Sequence, residues 1–328
     1  MKDKKKKILI IRLGAIGDVV HTTIIPKSIK NSHPDYEIHY LTQAENIPLL
    51  ENCDFIDKIH LWDRNKRKSF KYLIETSKIL FKERYDIVFN LTNAIRNYLL
   101  SIFAFPKQIV TRKRTKGLWV EDYFYTAKSV IKDITIPERL YLGINNELNR
   151  EITKRLSNYP KPYTMIIPGG GTDRNRQGRI WDINNWKNLT QEILKKYGGT
   201  IFVCGGKNER PHHEILLNDN IVITTGEYNL AGTSALLSHA NLVISGDTGP
   251  LHIASAHNVK TLALIGSTSP DKIKPYGKNG HYISANTDCK FCWKKRCKHL
   301  NLDDKITPCM ANITVNMVMD KIEQENLL

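Results

Sequence analysis

Short apolar runs alternate with amphipathic stretches through most of the chain. Lys7–Leu13, Glu37–Thr42, Asp57–Leu61 and Asp86–Leu91 have the length and composition of strands buried on both faces. Between them the period lengthens, and over Phe70–Arg84 a helix puts Leu73, Ile74, Ser77, Leu80 and Phe81 on one face. Such alternation predicts β-α-β units around a parallel sheet. The rhythm breaks over Ile131–Pro162, where Pro137, Pro160, Pro162 and the polar stretch Asn145–Arg150 predict a connection between domains. It then restarts with strands at Tyr163–Ile167, Thr200–Cys204, Ile221–Thr224, Leu242–Ser245 and Thr261–Ile265. Asp182 is placed to cap a helix over Asn184–Tyr197, and Gly198–Gly199 to stop it. The expectation is two α/β domains, 1–158 and 159–328, with a cleft between them. A terminal helix over 313–326 is free to pack back on the first domain.

The 328 residues suit two domains, and 41% apolar with 25% charged residues suits two ordinary cores. A disordered tail, a collagen-like fibre and a disulfide mini-scaffold are excluded. Charge changes the picture more: the net charge is +16, and residues 1–160 hold 29 basic and 18 acidic side chains, leaving +5 for the rest. A lopsided basic excess points to an acidic partner, whether nucleic acid, an anionic membrane surface or a phosphorylated substrate, unless it is solvated surface alone. No segment reaches the ~18 apolar residues of a membrane span. The opening imitates a signal peptide, but Arg12 ends its apolar run after Ile8–Ile11, short of the ~7–15 residues required. An intracellular protein is expected, and six cysteines suit a reducing compartment.

Three polar motifs sit where strands should turn into helices. In Arg12–Asp18 (RLGAIGD), Gly14 and Gly17 allow positive φ and close backbone approach before a helix start. The pattern is neither the G-x-G-x-x-G dinucleotide fingerprint nor a phosphate loop. Asp18 has an ordinary use at the positive end of a helix, and equally a carboxylate at the C-terminal edge of a parallel sheet faces the ligand crevice, where a general base belongs. In Ser245–His252 (SGDTGPLH), free N–H groups at a helix start, Asp247, the Thr248 hydroxyl, Gly249 and His252 converge on what could be a diphosphate. Pro250 suits a first helical turn. In Pro168–Thr172 (PGGGT), a glycine turn precedes Arg174, Arg176 and Arg179; it is either phosphate-friendly or a solvated loop.

Cys289, Cys292, Cys297 and Cys309 begin with C-x-x-C and could hold a structural zinc or iron ion, although the spacing is not that of a standard zinc ribbon. The neighbouring Lys290, Lys294, Lys295, Arg296 and Lys298 would lower thiol pKa values. Cys53 and Cys204 read as core residues. The basic runs Arg64–Lys71 and Lys107–Lys116 read as loops or helix starts of the first domain; with Trp62, Phe70 and Trp119 nearby they could bind nucleic acid, but no recognition helix or RNA module accompanies them.

KILIIRLGAIGDVVHTTIIPKSIK and GDTGPLHIASAHNVKTLALIGSTSP resemble glycosyltransferase family 9, the ADP-heptose:lipopolysaccharide heptosyltransferases, and CKFCWKKRC…PC resembles a segment found in many members. The similarity runs through both domains in order and is weakest over Glu45–Pro160. It implies a GT-B fold of two Rossmann-like domains facing across a cleft, the first binding the acceptor and the second the nucleotide sugar. It also implies inverting transfer that requires no metal or other cofactor. Asp18 matches the family's acidic residue and would be the general base. Asp247, Thr248, Gly249 and His252 match its diphosphate- and sugar-contacting motif. Arg179 stands where the family usually has Lys; Thr172 falls near its diphosphate loop, with Asp173–Gly178 as extra residues. Glu209 fits the ribose carboxylate, and Tyr228 lies where backbone contacts to adenine are expected. Gly14, Gly17, Arg64 and Lys66 would lie on the acceptor side.

The expected enzyme moves heptose from ADP-heptose to the inner core of lipopolysaccharide, at the inner face of the cytoplasmic membrane, with peripheral membrane contact. The other readings are a GT-B enzyme with a different nucleotide sugar or a protein or glycan acceptor, and a basic nucleic-acid-binding protein.

Overall fold

The computed structural model describes residues 5–92, 94–169, 178–289, 291–294, 297–300 and 306–328. The chain divides into two compact units between Gly143 and Ile144.

The first unit is a parallel sheet of β1 (Lys7–Ile11), β2 (Glu37–Gln43), β3 (Lys58–Trp62), β4 (Ile87–Asn90) and β5 (Gln108–Thr111), in the order β3-β2-β1-β4-β5. Its helices are α1 (Ile16–Thr22), α2 (Ile24–Ser32), α3 (Ile47–Leu50), α4 (Phe70–Glu83), α5 (Ile95–Phe103) and α6 (Trp119–Lys128). Ile8–Ile11 are fully buried, as befits a central strand covered on both faces. Strand order reverses between β1 and β4, so the crevice outside their C-terminal ends is where a ligand belongs.

Two sequence expectations are corrected here. The Lys107–Lys116 run does not form a loop or helix start throughout, because Gln108–Thr111 is edge strand β5, too short and too polar to show as an apolar run. In α4 the buried side chains are Leu73, Thr76, Ser77 and Leu80; Ile74 and Phe81 face solvent. The buried arc is rotated toward Thr76, and these two apolar residues are left outside with Phe70 and Ile79.

The second unit begins with α7 (Asn146–Leu156) and holds β6 (Tyr163–Ile167), α8 (Ile183–Tyr197), β7 (Thr200–Val203), α9 (Arg210–His213), β8 (Ile221–Ile223), α10 (Leu230–Ser238), β9 (Leu242–Gly246), α11 (Gly249–Ala256), β10 (Lys260–Leu264), α12 (Pro270–Ile273), β11 (Gly280–Ile283), α13 (Pro308–Ala311) and α14 (Val315–Gln324). The strands are parallel, in the order β11-β10-β9-β6-β7-β8, with the reversal between β6 and β9.

The boundary therefore falls before the expected 158/159. Asn145, expected in a linker, caps α7 by accepting from the Glu147 and Leu148 N–H groups. The helix then buries Ile152 and Leu156, packs on α10, and ties Arg155 to Glu227 at 2.7 Å. The terminal helix α14 also belongs to this unit: it packs on α8 and β11 with Val318 and Ile322 fully buried. Trp181 Nε1 donates to the Ile313 carbonyl just before it, at 2.7 Å. Among the described residues no helix is long and apolar enough to cross a membrane.

Candidate active site

At the reversal point of the first sheet, the chain leaves β1 through Arg12 and enters α1, whose first turn carries Asp18. Arg12 and Asp18 form an ion pair. Arg12 Nη1 also donates to the carbonyl of Leu91, just after β4, at 2.6 Å, so the guanidinium spans the two strands. The turn itself is stapled from β2 and beyond: Thr42 Oγ1 donates to the Arg12 carbonyl at 3.0 Å, and Asn46 Nδ2 to the Gly14 carbonyl at 3.0 Å. Asn46 is fully buried, so the turn is held rather than draped.

Tyr123 lies beneath this group, with the Arg12 guanidinium 5.9 Å and that of Arg112 4.6 Å from its ring centroid. Arg112 is in turn paired with buried Asp122 at 2.7 Å. A cation of the Lys107–Lys116 run is thus spent inside the unit rather than offered to nucleic acid. Gly14 and Gly17 do not adopt the positive φ that glycine allows there. Neither is in the left-handed region, and a Cβ on Gly14 would meet nothing closer than 3.7 Å. Ala15, extended at ψ 147°, makes the turn instead. Arg64 and Lys66 lie in a short 3-10 turn after β3 with side chains about two-thirds exposed; Lys66 reaches Asp63 at 3.8 Å and Arg64 reaches Glu45 at 4.0 Å.

At the reversal point of the second sheet, Asp247 follows β9 and is buried. Arg179 Nη1 lies 3.3 Å from its Oδ2, and His252 Nε2, one turn along α11, 3.8 Å from its Oδ1. Burial disfavours the carboxylate, but the His252 contact and the Arg179 charge outweigh it and hold the carboxyl below the usual range. Thr248 is the N-cap of α11 with no side-chain cap bond; its hydroxyl is instead 2.9 Å from Ser245 Oγ, which donates to the Ile167 carbonyl on β6 at 3.2 Å. The Thr248 side chain therefore does not cap α11, and a helix start of this kind, begun by Gly249, suits an anion.

The backbone of Arg179 is clamped by close packing. A Cβ at Gly246 would stand 2.6 Å from the Arg179 carbonyl oxygen, and one at Gly266 2.5 Å from that of Gly178. Ser267 N donates to the Gly178 carbonyl at 2.9 Å. This was invisible in the sequence, because Gly266 and Ser267 follow a different strand.

Glu209, in a 3-10 turn after β7, accepts from the Gly206 N–H at 2.8 Å. Tyr228, just before α10, accepts from Arg155 Nη1 at 2.6 Å. Thr172, with Arg174 and Arg176, lies outside the described residues.

Cys289, Cys292, Cys297 and Cys309 line one cavity with Gly178, Ser267 and Thr307. Trp293 N donates to the Ser267 carbonyl at 2.8 Å, so the cysteine segment backs onto the step that supports Arg179. The Cys309 thiol is pushed up, not down: burial, and then Cys289, Cys297 and Cys292, outweigh a bond to Thr307. Lys290, Lys295 and Arg296, expected to act the other way, lie outside the described residues. Among the described residues, the His, Cys, Asp and Glu side chains with three ligand atoms within 4.8 Å of one another are His39, His60 and Glu83; the four sulfurs are not gathered that closely. Cys53 and Cys204 are buried core thiols, pushed up to about 12 and about 11 by burial.

Two Rossmann-like units, each with its polar residues at the reversal point of a parallel sheet, define a protein of the GT-B fold class. The family model "Glycosyltransferase family 9 (heptosyltransferase)" matches residues 103–302, and the chain belongs to that family. It is similar to Lipopolysaccharide heptosyltransferase 1 of Campylobacter coli, 22% identical over 297 residues that cover 80% of this chain and 84% of the relative. Among solved structures, the glycosyl transferase family 9 protein from Veillonella parvula DSM 2008 superposes with a TM-score of 0.83 at 18% identity, over 99% of this chain and 98% of that one. The E. coli ADP-heptose lps heptosyltransferase II superposes at 0.76 and 18%, over 98% and 99%.

Proposed function

We propose that this enzyme transfers heptose from ADP-heptose to the inner core of lipopolysaccharide, with inversion, using Asp18 as the general base. The observation that carries the donor side is the buried Asp247 carboxylate shared by Arg179 and His252 at the start of α11. A diphosphate placed there meets the N–H groups of the helix start, the Thr248 hydroxyl and the Arg179 guanidinium. As the glycosidic bond breaks, the leaving phosphate gains negative charge, and donors already fixed in place stabilise that charge without reorganisation. Glu209 and Tyr228 would hold the ribose and adenine, Glu209 by exchanging its Gly206 contact for hydroxyls. The activities for which the relatives are named, lipopolysaccharide heptosyltransferase and ADP-heptose lps heptosyltransferase, support the donor and acceptor classes.

On the acceptor side, Asp18 takes the proton of the attacking hydroxyl, whose oxygen bonds to the anomeric carbon as the ADP oxygen departs. Arg12 holds the carboxylate in one place, and Arg64 and Lys66 would attract the anionic core. Residues 1–143 then serve the acceptor and 144–328 the donor. Such an acceptor places the enzyme at the inner face of the cytoplasmic membrane as a peripheral protein. Transfer needs no metal in this reading. The four cysteines would hold a structural zinc or iron ion only by closing further on the cavity they share, and elemental analysis of the purified protein tests that. The deciding experiment is transfer from ADP-heptose to defined truncated core acceptors, wild type beside Asp18→Asn: product with wild type alone supports the reading, and product from both at equal rates removes Asp18 from it.

A further inference from the structure

Helices α4 and α5 cover one face of the first sheet and pack on each other, yet they and the turn after α5 leave a series of large apolar side chains in solvent. Ile95 is 81% exposed, Phe105 69%, Phe70 68% and Phe81 53%; Ile74 and Ile102 are also exposed. The positions are ordered. Ile95, Tyr98 and Ile102 fall at i, i+3 and i+7, one stripe along the outside of α5. At its end Phe105 meets Phe81 of α4 edge to face, with ring centroids 5.5 Å apart, so the stripe continues onto the second helix. Phe105 also holds φ at 45°, a conformation that favours Gly or Asn, so its ring is not what the backbone there asks for. A continuous apolar surface of this kind on a folded unit marks an interaction site.

Charge identifies the occupant. Lys71, Lys78 and Lys82 stand exposed on the same outer side of α4, against one exposed acid there, Glu75; α5 carries no acid at all. Two copies of the chain meeting through this face would set like charges against each other. A nucleic acid would satisfy the lysines but leave isoleucine and phenylalanine facing phosphate. A bilayer rich in anionic lipid answers both: the apolar tips enter the headgroup boundary while the ammonium groups stay among the phosphates.

We infer that the outer face of α4 and α5 is a docking surface for an anionic lipid bilayer, with Phe81, Phe105 and the Ile95–Ile102 stripe as its apolar anchors. This deepens the proposed reading, in which the acceptor belongs to a membrane, but its test requires no sugar. The full chain is sedimented with vesicles of phosphatidylethanolamine containing phosphatidylglycerol, and with vesicles of phosphatidylcholine alone. Binding to the first and not the second, weakened by added salt, is expected. Phe81→Ser with Phe105→Asn should weaken it roughly tenfold or more, and Lys78→Glu with Lys82→Glu by roughly tenfold or more. Both pairs should leave the unfolding midpoint, the ADP thermal shift and transfer to a lipid-free acceptor fragment unchanged. Absent binding, or equal binding by wild type and both variants, overturns the inference. A dimer seen by light scattering and abolished by the phenylalanine variant would reassign the face to a second copy. Oligonucleotide binding lost only in the lysine variant would reassign it to nucleic acid. Vesicle binding without any heptosyl transfer would leave the docking surface standing and remove the proposed function instead.

Discussion

Arg12 and Asp18, six residues apart in the chain, are ion-paired across the turn from β1 to α1, with Arg12 also bound to the Leu91 carbonyl after β4. The carboxylate proposed to take the acceptor proton is thus anchored to the point where strand order reverses. Asp18→Asn should lower kcat by roughly 10²–10⁴-fold, with the ADP thermal shift retained, because general-base help is lost and the donor site is untouched. Arg12→Lys keeps a charge but not the two-pronged grip, so a smaller fall in kcat with an unchanged donor KM is expected. Initial rates with ADP-heptose check both; a fully active Asn variant removes Asp18 as the base.

The Asp247–Arg179–His252 group makes a prediction about the nucleotide. ADP should raise the thermal unfolding midpoint, and UDP, GDP and CDP should not. Arg179→Ala should weaken ADP by roughly 10–100-fold, the scale of a hydrogen bond to a charged group. An equal response to all four nucleotides that survives His252→Ala would sink the assignment.

Gly246 and Gly266 are predicted to matter for space. Alanine at either would force its Cβ to within 2.6 Å or 2.5 Å of a carbonyl oxygen beside Arg179. Each substitution should cost about 1–3 kcal/mol in chemical denaturation and weaken ADP binding, since the displaced backbone carries the guanidinium. Gly14→Ala, which meets nothing closer than 3.7 Å, is the control and should change stability by less than about 0.5 kcal/mol.

Acid sensitivity should originate in the first unit, far from these glycines in sequence. His39 Nδ1, His60 Nε2 and Tyr85 Oη lie within 3.1 Å of one another, and His39 Nε2 is bonded to Glu37. Burial, then the charges of His39 and Lys58, pushes His60 down to about 4, while bonds from Lys58 and Lys7 hold Glu83 at about 2. Both values lie below those of an unfolded chain, which takes up protons first as pH falls. The stabilisation is therefore complete above pH ~6.5, declines for His60 between ~6.5 and ~4, and declines for Glu83 from ~4.5 toward ~2. His60→Gln should flatten the slope of stability against pH between ~6.5 and ~4.5 by about one proton per chain. A variant as steep as wild type in denaturant titrations would exclude His60 as the source.

Much of the candidate site was legible because its residues are close in sequence. Asp247, Thr248, Gly249 and His252 lie within one strand-to-helix turn, and a turn is a local object. The misreadings share a cause as well. Asn145–Arg150 reads as a polar linker, yet it starts helix α7, whose apolar residues Ile152 and Leu156 come later and find their cover on α10. Strand β5 is hidden inside a basic run because an edge strand needs little apolar material. In α4, periodicity alone cannot say which of two adjacent arcs turns inward; contact with the sheet buries Thr76 and leaves Phe81 outside.

What the sequence by itself determined is the alternation of strands and helices, the motif at each reversal point, and the family they resemble, since hydrophobic period and turn chemistry act over a few residues. What only the tertiary structure decided is which distant groups meet: Arg12 with Leu91, Arg179 with Asp247, Gly266 with Gly178, Phe81 with Phe105. Parallel strands must be joined by crossovers that return the chain to the same edge, so neighbours in the sheet are far apart in sequence. No local pattern can report a contact whose partner is supplied by the path of the whole chain.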